Sequence, residues 1–165
     1  MKEGTYEGFP VAVLVNRYSA SASEIFAGAI QDYRRGLIVG DKTTHGKGTV
    51  QSLLDLGEEL FRAAGPGVPN LGALKITIQQ FYRPSGDSTQ KRGVVADVEL
   101  PSLTTHLDVG EGDLDFAIDF DKVDALKLTQ LDLVGDAMLA QLRSRSQERC
   151  VKSDEFAKLQ KRINR

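Results

Sequence analysis

Apolar positions in the first hundred residues follow two different spacings. The run Val11–Val15 is short, β-branched and bounded by Pro10 and Asn16, which reads as a central strand. In "SASASEIFAGAIQDYRR" the apolar residues Ile25, Phe26, Ala29, Ile30 and Tyr33 fall at helical spacing, with Gly36 placed to close the helix as a C′ glycine. "LIVG" (residues 37–40) reads as a second buried strand, and "GTVQSLLDL" as extended. "GEELFRAAGPGVPNLG" has the glycine and proline clusters of a surface excursion. Strict alternation returns in "ALKITIQQFYRPSG", with Leu74, Ile76 and Ile78 on one face and Lys75, Thr77 and Gln79 on the other. "STQKRGVVADVELP" ends the series with a turn and a short strand before Pro101. Strand, helix, strand at the start predicts a βαβ unit, followed by mixed sheet, so the class is α/β.

The pattern changes after about Leu103. "HLDVGEGDLDFAIDFD" is acidic, and residues 131–165 read as helical and basic, with Ser153 the expected N-cap of a last helix carrying Phe156, Leu159 and Ile163. The organisation is therefore an α/β part over 1–103 and an acidic linker with a helical extension over 104–165. Leu139, Leu142, Phe156 and Leu159 are expected to dock that extension on the core or on another copy.

With 165 residues, a net charge of −2 and 27% charged residues, the chain has no field that would draw nucleic acid or anionic lipid. The basic residues of the extension have few aromatics among them and acids between them, which suits a solvated helix better than an RNA surface. No apolar run has the length of a membrane span. One cysteine, Cys150, excludes an internal disulfide, and the acidic positions Asp108, Glu111, Asp113, Asp115, Asp119 and Asp121 lack the EF-hand register. They read as a solvated acidic face, His106 has no ligand companions, and no metal or cofactor is expected. "MKEGTYEGFP" lacks the apolar core of a secretory leader.

Two stretches could carry chemistry. "GDKTTHGKGTVQ" follows a strand and looks like a phosphate loop, but Gly40 and Gly46 have five residues between them and not four, Gly48 stands where a hydroxyl belongs, and a β-leaning segment follows. Nucleotide binding is excluded on spacing and context. In "SASASE", Ser21 and Glu24 fit the capping box S-x-x-E, and by itself that accounts for both residues.

Taken together, "RYSASASEIFAGAIQDYRRGLIVGDKTTHGKGTVQ" closely resembles the catalytic segment of the C-terminal processing peptidases of the tail-specific protease type. "TIQQFYRPSGDSTQKRGVVADVEL" is similar to the same branch, where the family carries G-V-x-P-D-hydrophobic, and "LDVGEGDLDFAIDFDKV" and "SDEFAKLQKRINR" resemble its C-terminal extension. The resemblance implies a crotonase- or ClpP-like protease core fragment and a serine endopeptidase that cleaves polypeptides near their C-termini through a Ser–Lys dyad. By position, Ser21 is the nucleophile, Lys47 the general base and Gln51 its hydrogen-bonding support, with the Ala22 backbone N–H facing the oxyanion from a helix start. Lysine acts as a base only when neutral, which a dry site favours against its ordinary value of about 10.4.

The resemblance further implies a bacterial periplasmic or cell-envelope setting and polypeptide partners with accessible C-termini. The second oxyanion donor and the PDZ-like part of the family would lie in segments before this chain, so the isolated fragment is expected to be poorly active. The loop is one residue longer than is usual in the family, and His45 stands where an aromatic is common. No partner carboxylate for His45 is evident in the sequence. The alternative from another class is a non-catalytic ligand-binding or assembly module of the same fold.

Overall fold

The structure, a computed structural model, describes residues 8–61 and 69–165. Residues 1–7 of the N-terminal stretch and residues 62–68 of the expected surface excursion lie outside the described residues. The chain divides into two compact units, one of residues 1–48 with 82–165 and one of 49–81.

The first unit opens with the expected βαβ. Strand β1 (Ala12–Val15) and strand β2 (Leu37–Gly40) pair in parallel, Ala12 opposite Leu37 and Val15 opposite Gly40, with helix α1 (Ala22–Asp32) between them. Strand β5 (Val98–Glu99) adds in parallel to the other side of β2, giving the order β1-β2-β5. Alternation along β1 turns Val13 and Val15 inward, where they pack with Ala27 and Ile30 of α1, Ile38 of β2 and Val94. Leu14 points the other way and is exposed, so β1 is an edge strand among the described residues and not the central strand that its β-branched run suggests.

Helix α1 also ends differently from expectation. Arg34 takes the left-handed conformation (φ 50°), and the Arg34 and Arg35 N–H groups donate to the carbonyls of Gln31 and Ile30, a Schellman closure. Gly36 instead allows close packing, since a Cβ there would meet the Val11 carbonyl oxygen at 2.6 Å. In the last turn of the helix, Asp32 is held by a bidentate Arg83 (Nε to Oδ2 at 3.2 Å, with Nη2 to Oδ1) and by the Ser85 N–H at 3.0 Å. Asp97, the acid of "GVVAD", accepts from the Ile38 N–H and from the Gln31 amide, both at 2.8 Å, and so locks β2 to α1.

The extension is bound to this unit along its length. Helix α3 (Asp136–Lys152) donates from Arg143 Nε to the Asp97 carbonyl at 2.6 Å. Leu142, Ser146 and Cys150 of α3 line a cleft of about 480 Å³ whose other wall is Leu37, Val39 and Val98 of the sheet. Ser153 caps helix α4 (Asp154–Ile163) as expected, its hydroxyl accepting from the Phe156 N–H. The acidic stretch is a solvated face as expected, with Asp108, Asp113, Asp115, Asp119 and Asp121 exposed and Glu111 part-buried. At that surface Asp119 pairs with Lys91 at 2.6 Å, Asp121 accepts from the Tyr82 hydroxyl at 2.8 Å, and Asp113 pairs with Arg17 at 3.3 Å.

The second unit is an antiparallel ribbon. Strand β3 (Thr49–Asp55) pairs with β4 (Ala73–Gln80), with a register shift between Val50 and Gln51. Parallel and antiparallel pairing both occur, as a mixed α/β reading requires, but in two separate sheets. The start of the expected excursion is a short helix, α2 (Leu56–Phe61), which Asp55 begins by accepting from the Glu58 N–H at 3.0 Å. Two acids in the first turn, Glu58 and Glu59, also suit a helix start.

Candidate active site

Ser21 stands between the loop after β1 and the first turn of α1 and is half-buried, with Ala22 exposed beside it. Its backbone (φ 56°, ψ −113°) lies in a region that costs a non-glycine residue about 1–3 kcal/mol. Surrounding bonds hold it there. The segment before it is fixed by the Arg17 N–H donating to buried Asp41 at 2.8 Å and by the Ser19 N–H donating to the Asn16 carbonyl at 2.9 Å. Ser21 and Glu24 approach as in a capping box, but the hydroxyl makes no side-chain cap bond; the Glu24 and Ile25 N–H groups both donate to the Ser21 carbonyl. The capping explanation therefore does not use the oxygen that a nucleophile would need.

Glu24 is fully buried, and its carboxylate accepts four hydrogen bonds. Oε2 accepts from the Ser21 N–H at 2.8 Å and from the Lys47 N–H at 2.9 Å. Oε1 accepts from the Thr44 hydroxyl at 2.5 Å and from the Gly46 N–H at 2.6 Å. Two nitrogens bonded to one oxygen at those lengths lie within about 6 Å of each other, so the backbones of Ser21 and Lys47 are brought together across 26 residues of chain.

Every residue of the Lys47 loop is held. The Thr44 N–H donates to the Val94 carbonyl at 3.2 Å and the His45 N–H to the Ser19 carbonyl at 2.9 Å. The Gly46 carbonyl accepts from the Lys91 N–H at 2.8 Å, the Lys47 carbonyl from the Thr89 hydroxyl at 3.2 Å, and the Gly48 N–H donates to buried Gln90 at 2.8 Å. Gly46 has φ 94°, and a Cβ on it would meet the Lys91 carbonyl carbon at 2.9 Å; one on Gly48 would meet Ser88 Oγ at 2.6 Å. The loop is thus bound on both sides. Lys47 itself is half-buried.

Gln51 lies in the other unit, on β3, opposite Thr77 of β4 and immediately after the register shift. His45 does have a carboxylate near it, Glu111 of the extension, with Nδ1 3.9 Å from Oε2; that is too long for a hydrogen bond, and Nδ1 has no hydrogen-bond partner. No group of ligating side chains that could hold a metal occurs among the described residues. No helix among them is long and apolar enough to cross a membrane.

Residues 2–100 match the model of peptidase family S41, and residues 104–165 match that of the C-terminal domain of tail specific protease. The chain belongs to peptidase family S41. It is 40% identical over 160 residues to the tail-specific protease of Haemophilus influenzae, a match that covers 96% of this chain and 22% of that protein. It is 42% identical over 111 residues to the carboxy-terminal-processing protease of Bartonella bacilliformis, covering 64% of this chain and 23% of that protein. Among solved structures, a photosystem II D1 C-terminal processing protease is 39% identical over 56% of this chain and 21% of that one, with a TM-score of 0.45. The chain spans about a fifth of the length of the curated relatives it matches.

Within this S41 chain, the sequence reading missed what Glu24 does beyond the capping box. The spacing S-x-x-E was visible, but its other partners, Thr44, Gly46 and Lys47, are twenty or more residues away and carry no local signature. Gln90 and Glu111 were missed for the same reason.

Proposed function

We propose that this chain carries the catalytic dyad of a serine endopeptidase that cleaves polypeptides near their C-termini. Residues 1–103 act as the catalytic part and 104–165 as its extension. Ser21 is the nucleophile, Lys47 the general base, Gln51 the support of the lysine amine, and the Ala22 N–H a donor to the oxyanion. The observation that carries the reading is the shared Glu24 oxygen, to which both the Ser21 and the Lys47 N–H donate. A structural capping box would have no reason to bind a distant lysine loop as well.

In this reading the neutral Lys47 amine takes the Ser21 proton as Oγ attacks the scissile carbonyl. The tetrahedral oxyanion forms against the Ala22 N–H at the start of α1, where the helix end favours negative charge. Collapse expels the leaving amine, which receives the proton from Lys47. Water, deprotonated by the same lysine, then hydrolyses the acyl-enzyme and restores both groups. The strained Ser21 backbone supports this role, since such strain persists where the surrounding structure holds a group in a set direction. An exported, cell-envelope setting in a bacterium and polypeptide substrates with free C-termini complete the proposal.

The test is labelling of the intact protein with a fluorophosphonate. Labelling is expected in the wild type and lost in Ser21→Ala and Lys47→Ala. Labelling of Lys47→Ala at the wild-type rate would overturn the dyad. Absence of labelling in the wild type, with a folded protein, would favour a non-catalytic module.

A further inference from the structure

Resting on the dyad reading, we propose that the turn Glu111–Asp113 of the extension braces the loop that carries Lys47, with Glu111 as a positioning residue for the reaction. Glu24 holds that loop from the α1 side, and the extension holds it from another through three connections. The Glu111 N–H donates directly to the His45 carbonyl at 2.9 Å. Arg17 donates from Nη1 to the Thr44 carbonyl at 2.9 Å while Nη2 pairs with Asp113 at 3.3 Å. The third connection runs through the Gln90 side chain, from the Gly48 N–H to the Glu111 carboxylate.

That third connection has a forced polarity. Gln90 is fully buried, and its Oε1 is committed to the Gly48 N–H at 2.8 Å. Its Nε2 therefore faces outward as a donor and needs an acceptor, which Glu111 Oε1 supplies at 3.1 Å. Without the carboxylate, the buried amide has an unpaired NH₂. Rotating the amide to satisfy that group would strip the Gly48 N–H of its acceptor instead. Either way, the loss of a side chain in the extension reaches the residue next to Lys47. The turn is itself held in shape, since Asp113 accepts from the Gly110 N–H at 2.7 Å and Glu111 is mostly buried. The extension is thereby a working part of the catalytic loop and not only a cover for the sheet.

The experiment uses the intact protein and measures the rate of fluorophosphonate acylation, with kcat and KM on a peptide bearing a free C-terminus. Loss of one buried hydrogen bond in the loop corresponds to about a tenfold fall in acylation rate and kcat for Glu111→Ala, with KM nearly unchanged. Glu111→Gln, whose amide oxygen can still accept from Gln90, is expected to recover most of that loss. Asp121→Asn, in the same acidic stretch but bonded to Tyr82, is expected to leave the rate unchanged. Hydrogen exchange supplies a second reading: amides of residues 45–48 should exchange faster in Glu111→Ala while those of α3 do not. If Glu111→Ala proves too unstable to assay, Gln90→Met cuts the same connection and is read in the same way. Wild-type acylation and exchange in these variants, with labelling still lost in Ser21→Ala and Lys47→Ala, would overturn the brace and leave the dyad standing. Labelling that survives Lys47→Ala would instead remove the reading on which the brace rests.

Discussion

Replacing Glu24 tests how the two halves of the candidate site are joined. Glu24→Ala removes the acceptor of four donors at once. Ser21 and Lys47 are half-buried, so water can reach their N–H groups in part, whereas the Thr44 hydroxyl and the Gly46 N–H belong to buried bonds. At about 1–3 kcal/mol for each buried donor left unpaired, those two alone amount to about 2–6 kcal/mol, before any cavity is counted. That is comparable with the whole stability of an ordinary domain, about 5–15 kcal/mol, so the alanine variant is expected to fold poorly.

Glu24→Gln is the sharper test because it keeps the volume. One amide oxygen can serve one pair of donors, and the NH₂ must face the other pair. The lower-cost orientation keeps the oxygen on Ser21 and Lys47. The NH₂ can then donate to Thr44 Oγ1, which already accepts from the Val94 N–H at 2.8 Å, and the Gly46 N–H and the Thr44 hydroxyl proton lose their acceptor. The expected cost is about 1–3 kcal/mol for each of these two donors. It should appear as a lower urea midpoint with unchanged slope in the intact protein, together with slower Ser21 labelling. A Glu24→Gln variant as stable as the wild type and labelled at the same rate would refute the view that this carboxylate organises the site.

Arg83 and Asp32 form a pair with side chains 13% and 8% exposed, so Arg83→Ala leaves a buried carboxylate with fewer partners and should cost about 3–5 kcal/mol in chemical denaturation. Lysine at position 83 should not restore it, because the two-point contact and the bond to the Gln31 amide need the guanidinium fork. The hydrogen bond and charge of Lys91 hold Asp119 below its ordinary carboxylate value, and the Lys122 N–H and Tyr82 hydroxyl do the same for Asp121. Their contribution is complete above the unfolded value of about 3.9 and disappears as pH falls through the lower folded values. Melting of Asp119→Asn should therefore differ from wild type at pH 6 and converge with it in strong acid. The bond to Asp121 raises Tyr82, whose contribution is present below about pH 10 and lost as pH rises through the higher folded value. Absorbance titration of Tyr82 should move downward in Asp121→Asn.

What the sequence determined by itself is whatever depends on neighbours in the chain. The 3.6-residue spacing of Ile25, Phe26, Ala29 and Ile30 gave α1, the alternation from Leu74 to Ile78 gave β4, and Ser153 marked the start of α4. "SASASE" and "GKG", read together, were enough to point to the family that the whole-chain match bears out.

Tertiary structure decided the rest, because the partners involved are remote in sequence. Nothing near Glu24 foretells that one buried carboxylate would bind both Ser21 and the loop of Lys47. Nor does the acidic composition of 104–121 foretell that Glu111 would meet Gln90, since a carboxylate in a polar run looks solvated until a buried donor is brought against it. Among the described residues even β1 is an edge strand against its apolar composition, because strand order depends on which segments pair and not on how apolar each one is. Local periodicity sets the elements, but a buried polar group must find its partner wherever the fold has put one, and only the assembled chain says where that is.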